Sequence, residues 1–171
     1  MSNGIAPPKT DSLPPSEPQG DSTSDSIGIT VVGRPRPAGS KRSYNGHVVA
    51  DNPYVENWMQ EVRSAAAKVC GKAPLIETPV ELSAVFEFAR PKCHYGSGRN
   101  AGTLKASAPV EMAHTPDLCK LIRAVEDALT KTVWKDDAQI VQYGKMRKQW
   151  SLDGREQAVL IVRRLENVTN S

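Results

Sequence analysis

Three cysteines and three histidines are all that this 171-residue chain offers to a soft metal. Cys70, Cys93 and Cys119 are widely spaced, with neither zinc-finger nor redox spacing, and nothing predicts an oxidising compartment. Cys93-His94 is at most half of a metal site, and its other half is missing. Aromatic residues make up 5% of the chain, too few for base stacking to be the main grip on a nucleic acid. No stretch approaches the roughly eighteen apolar residues of a membrane span. The N-terminus lacks the basic start and apolar run of a signal peptide. These absences predict a soluble, cytoplasmic protein, in which the sequon Asn167-Val-Thr169 carries little meaning.

Proline and serine are plentiful, but unevenly placed. Residues 1–25 hold Pro7, Pro8, Pro14, Pro15 and Pro18 and almost no large apolar side chains. Such a segment cannot bury enough surface to offset its ordering entropy, so a disordered tail is expected there. A single domain is expected over 26–166, with a short tail at 167–171. Charge divides at the same boundary. Lys9 against Asp11, Glu17, Asp21 and Asp25 leaves the first segment at −3, so with +3 overall the remainder carries +6. That balance suits a polyanionic partner without specifying one.

Ser26 to Gly33 is short and β-branched, and reads as a strand. The prolines and glycine of Arg34-Pro-Arg-Pro-Ala-Gly-Ser-Lys-Arg42 predict an irregular basic loop. His47 to Ala50 reads as a second strand. Pro53 opens a helix capped by Asn52, with Val55, Trp58, Met59, Val62, Ala66 and Val69 at helical spacing and Gly71 as its stop. Val80 to Arg90 alternates as a strand does. Residues 91–113 form a long irregular loop. Its Gly96-Ser-Gly-Arg-Asn-Ala-Gly102 has the wrong spacing for a dinucleotide loop, and no helical pattern follows it. Thr115-Pro116 reads as the start of a second helix, with Leu118, Leu121, Ile122, Val125 and Leu129 on one side. Strands over 138–148 and 158–162 close the domain. The last is apolar on both faces and so is expected at the centre of the sheet. The fold class is mixed α+β (α/β-like): one mixed β-sheet with two main helices packed on one face.

Asp117 starts the second helix, facing away from its apolar side. Asp136 and Asp137 follow in the turn before the next strand. Carboxylates converge only around a cation, and oxygen ligands of this kind suit magnesium or manganese. The two acidic places meet only if the following strand doubles back, and each acid alone also reads as a helix-dipole partner or a solvated turn. Adjacent residues in an extended segment point to opposite faces, so at most one of Asp136 and Asp137 enters a common site.

The run PDLCKLIRAVEDALTKTVWKDDAQIV closely resembles the signature of the RusA-type Holliday junction resolvases, endonucleases of bacteria and bacteriophages. It supplies Asp117, Lys120, Asp127-Ala-Leu129 and Asp136-Asp137-Ala-Gln-Ile140, and His114 before the Pro-Asp pair is similar to phage members. The resemblance implies a homodimer that binds branched DNA, four-way junctions above all, and cuts phosphodiester bonds with Mg2+ or Mn2+. It puts the metal-site acids at Asp117, position 119 and Asp137, and a functional cation at Arg123, where the family often has lysine. Arginine keeps the charge and grips phosphate bidentately but is no proton donor; it also reads as a helix-surface partner of Glu126 or Asp127.

Cys119 is the departure from that pattern. A thiol offers one soft donor atom and suits zinc better than magnesium, so a weakened magnesium site is expected. Two readings follow: a metal-dependent endonuclease for branched DNA in recombination, repair or phage DNA processing, or an impaired junction binder of the same fold. A basic scaffold with surface acids is the reading outside the family. The expected DNA contacts are Arg34, Arg36, Lys41, Arg42, Lys120, Arg123, Lys145 and Arg147, with affinity falling steeply with salt.

Overall fold

The computed structural model describes residues 26–39, 41–44, 47–50 and 53–165. The segment 1–25, the Asn52 cap, the Asn167 sequon and residues 167–171 lie outside them, as do the side chains of Lys41 and Arg42. The elements are β1 (Ser26–Val32), β2 (Lys41–Tyr44), β3 (His47–Ala50), α1 (Pro53–Cys70), β4 (Val80–Phe88), α2 (Leu118–Leu129), β5 (Ile140–Trp150) and β6 (Gln157–Arg164). One four-stranded sheet has the order β1-β6-β4-β5, and β2 pairs with β3 in a separate hairpin. β6 is antiparallel to both neighbours, whereas β4 and β5 are parallel, which requires the crossover that α2 supplies.

The pattern of each strand explains its place. Val80, Leu82, Ala84, Phe86 and Phe88 of β4 are all buried, while the residues between them are only half-buried. β6 buries Ala158, Leu160 and Val162 and turns Val159 and Ile161 to the other face, as its central position allows. α1 contributes Trp58, Val62 and Ala66 to the same core, and α2 contributes Leu121, Ala124, Val125, Ala128 and Leu129. The helices pack on each other, α1 also against β1 and α2 against β5. Each large side chain so buried stabilises the fold by about 1.5–3 kcal/mol before the cost of ordering. Val69, expected on the apolar side of α1, is exposed.

Four local expectations are corrected. The end of the basic loop is a strand, β2, because Lys41–Tyr44 pairs residue by residue with His47–Ala50. α2 begins at Leu118 rather than Pro116, because Asp117 is an extended N-cap (φ −69, ψ 136). The loop 91–113 folds on itself through 3-10 turns at Lys92–His94 and Gly98–Asn100 and a Tyr95–Leu104 bridge. β5 starts at Ile140 because Asp137–Gln139 forms a 3-10 turn. β5 also has one residue more than β4 between Ile140 and Gln142, and again between Tyr143 and Met146.

Candidate functional site

The turn before β5 separates the two adjacent aspartates by role. Asp136 caps it, its Oδ1 accepting from the Ala138 amide at 2.9 Å. Gln139 completes a capping box, its Oε1 accepting from the Asp136 amide at 2.9 Å. The Gln139 Nε2 then donates to the carbonyls of Ile76 (2.8 Å) and Thr78 (3.0 Å), fastening the turn to the chain entering β4. Asp136 is thus occupied by the backbone, and Asp137 is left as an exposed carboxylate.

At the other acidic place, Asp117 makes no capping hydrogen bond and instead pairs with Lys120 at 3.4 Å. Cys119 is exposed on the first turn of α2. The basic segment after β1 is tied here, the Ala38 amide donating to the Lys120 carbonyl at 2.8 Å. Lys148 of β5 reaches the same place and donates to the carbonyls of His114 and Pro116.

The direction of β5 sets the two places apart. Lys148, near its end, meets the start of α2, while Tyr143, near its beginning, donates to Glu126 in the last turns of the helix. α2 and β5 therefore run in opposite directions, with Asp117 as the N-cap of the 12-residue helix and Asp137 in the turn that leads into β5. Asp117 and Cys119 lie at the start of α2, and Asp137 lies in the turn before β5. Among the described residues, no three His, Cys, Asp or Glu side chains stand close enough to share a metal ion.

The cations divide too. Arg34 pairs with Glu156 at 3.7 Å, and Arg36 lies 5.2 Å over the Tyr54 ring. Arg147 is held by both oxygens of Glu111 at 3.0 Å. Arg123 is exposed and has no ion pair among the described residues, so neither Glu126 nor Asp127 neutralises it. Lys145 is exposed, and its amide donates to Ser83 Oγ at 2.9 Å. Lys120 and Lys148 therefore stand beside Asp117 at the start of α2, while Glu126 lies in its last turns.

Sequence reasoning missed Glu126 and Tyr143 as a pair. Their hydrogen bond, with burial and the charges of Glu126 and Asp137, pushes the Tyr143 phenol up to about 12, against an opposing pull from Arg123. The signal was present in part: Glu126 stands seven residues after Cys119, two turns along the same helical face.

The endodeoxyribonuclease RusA family matches residues 29–158, about three quarters of the chain, and the protein belongs to that family. The family is one of Holliday junction resolving endonucleases, generally dependent on a divalent metal ion. No curated protein matches the chain.

Proposed function

We propose that this protein is a magnesium-dependent endonuclease that binds four-way DNA junctions as a homodimer and hydrolyses their phosphodiester bonds, with manganese as a substitute ion. Family membership supports the substrate and the reaction. The dimer rests on the family resemblance; the placing of Asp117 at the start of α2 and of Asp137 in the turn before β5 motivates a site shared between copies. Two copies related by a twofold axis, with their α2 ends side by side and reversed, bring Asp117 and position 119 of one copy to Asp137 of the other. A twofold pair has two such places, as a symmetric junction has two strands to cut. Arg123, exposed on α2 and without an ion pair among the described residues, is the candidate cation for the scissile phosphate, and Arg34, Arg36, Lys41, Arg42, Lys120, Lys145 and Arg147 hold the flanking backbone.

The test uses two inactive variants, Asp117→Asn and Asp137→Asn, mixed and allowed to exchange copies. Shared sites predict that the mixture nicks a labelled four-way junction in one strand, because each mixed dimer regains one complete set of acids. Continued inactivity of demonstrably mixed dimers refutes the shared site. A second reading has its own observation: the exposed thiol of Cys119 where the family pattern has a carboxylate. On that reading the protein binds junctions and cuts them poorly or not at all.

A further inference from the structure

A cavity of about 410 Å³ opens beside the start of α2, between the end of β4, the first residues of the 91–113 loop and Trp150 of β5. Its size falls in the usual range for small-ligand sites, roughly 300–1,000 Å³. Arg34, Arg90, Lys92 and His114 line it, against one acid, Glu156. Lys148 stands behind His114 and donates to its carbonyl. The excess of positive charge is felt nearby: burial first, then Arg90, His114 and Lys105, hold the His94 imidazole below its ordinary range.

The remaining wall is flat and apolar. The Arg90 guanidinium lies 5.4 Å over the Trp150 ring, and a hydrogen bond from its Nη1 to the Pro109 carbonyl at 2.8 Å holds it there. His94 meets the same ring edge-on at 5.2 Å, and His114 at 5.8 Å. Trp150 is 8% exposed, and its Nε1 has no hydrogen-bond partner among the described residues; neither has Nδ1 of His94 packed against it. The cavity lining itself offers four basic side chains, one carboxylate and the Trp150 ring, with His94 packed behind that ring. A cationic rim over an arginine–indole stack suits an anion joined to a planar ring.

We infer that this cavity takes one unstacked nucleotide of a DNA strand, its phosphate on Arg34, Lys92 and His114 and its base against Arg90 and Trp150. A duplex is too wide to enter. A base already unpaired at a branch point is extruded most readily, which gives the site a reason to prefer branched DNA. The inference rests on the proposed junction activity for its biological ligand, but the cavity is testable alone.

The chain has three tryptophans, so a proton–nitrogen correlation spectrum shows three indole signals, and Trp150→Phe assigns one by its loss. Trp134 is the control, since its Nε1 already donates to Thr130 Oγ1 at 3.1 Å at the far end of α2. Titration with 2′-deoxyadenosine 5′-monophosphate should move the Trp150 signal saturably and leave Trp134 in place. Deoxyadenosine and inorganic phosphate should each bind about tenfold more weakly or worse, roughly 1.4 kcal/mol. Lys92→Ala, on an exposed side chain, and Arg90→Lys, which loses the planar stack, should both weaken the nucleotide. An unmoved Trp150 signal, or phosphate alone binding as tightly as the nucleotide, overturns the inference. Junction and linear-duplex binding of the wild type are measured in parallel. Junction preference without a Trp150 shift sinks the cavity and leaves the junction reading standing. A shift without junction preference supports the cavity and sinks that reading.

Discussion

Replacing Cys119 by aspartate tests the whole account of the site in one atom-scale change. Cys119 is exposed on the first turn of α2 and contributes nothing to the core, so no packing is lost. An acid near the helix N-terminus gains about 0.3–1 kcal/mol from the helix dipole, and Arg123, four residues on, adds roughly 0.2–0.5 kcal/mol. Repulsion from Asp117, two residues back, removes an amount of the same order. The net change in stability is then within about 1 kcal/mol, or some 2–4 °C in Tm for a chain of this size. Catalysis is affected far more. A third carboxylate ligand is worth several kcal/mol of transition-state charge stabilisation; about 3 kcal/mol is roughly a hundredfold in rate. The assay follows single-turnover cleavage of a labelled four-way junction with Mg2+, for wild type and Cys119→Asp, with melting curves recorded for both. A hundredfold acceleration at nearly unchanged Tm is expected. If the variant is folded, binds the junction and cuts no faster than wild type, position 119 is not part of the metal site.

Asp136→Ala should cost about 1 kcal/mol through the lost cap and be read as a lowered Tm, whereas Asp137→Asn should leave Tm unchanged and abolish cutting. His94 is held neutral, its folded pKa lying below its unfolded value of about 6.5, so the unfolded chain binds more protons between the two. Stability is therefore complete above that unfolded value and falls as acidification carries the pH down toward the folded pKa; His94→Phe should flatten this part of the Tm-against-pH curve. The Tyr143 phenol, raised to about 12, keeps its contribution to stability below pH 10 and loses it as pH climbs toward 12. An ultraviolet titration should show it ionising late, and Glu126→Gln should bring it down. Junction affinity should fall linearly with salt on a log–log scale, and Arg123→Ala, which removes a cation without an ion pair among the described residues, should flatten that slope more than Arg147→Ala, whose charge Glu111 already balances.

The legible parts of this sequence were those with a period. Alternation from Val80 to Phe88 marked β4, the two-sided apolar run at Ala158–Val162 marked a central strand, and helical spacing marked α1 and α2. The single mixed α+β domain followed from them. The β2 strand KRSY has no apolar face to betray it, and its pairing with β3 decides its form. Thr115-Pro116 has the composition of a helix start, yet the helix waits for Leu118. Asp117 and the Asp136-Asp137 pair stood out as acids at a helix start and in a turn, and the resemblance chose Asp137 of the two; the course of β5 along α2, which no local residue encodes, came only with the fold. The division of labour within Asp136-Asp137-Ala-Gln139 was equally hidden, since Gln139 acts on carbonyls some 61 and 63 positions away.

The two surplus residues of β5 bear on how this chain can vary. In an unbroken ladder Tyr143 would stand opposite Ser83, on the face away from α2; the first surplus residue pairs it with Leu82 instead and hands it to Glu126. The second surplus residue restores the phase, so that Lys148 and Trp150 align with Phe86 and Phe88 and face the helix again. Gly144 sits between, where an added side-chain carbon would collide with Ser83 Oγ. The pair therefore works as a local inversion within an otherwise continuous strand. Loss of one residue here is a frame error that turns the Lys148 anchor and the Trp150 wall outward together. Loss of both is nearly silent downstream and erases only the Tyr143 contact, so lineages of this domain should gain or lose these residues in twos.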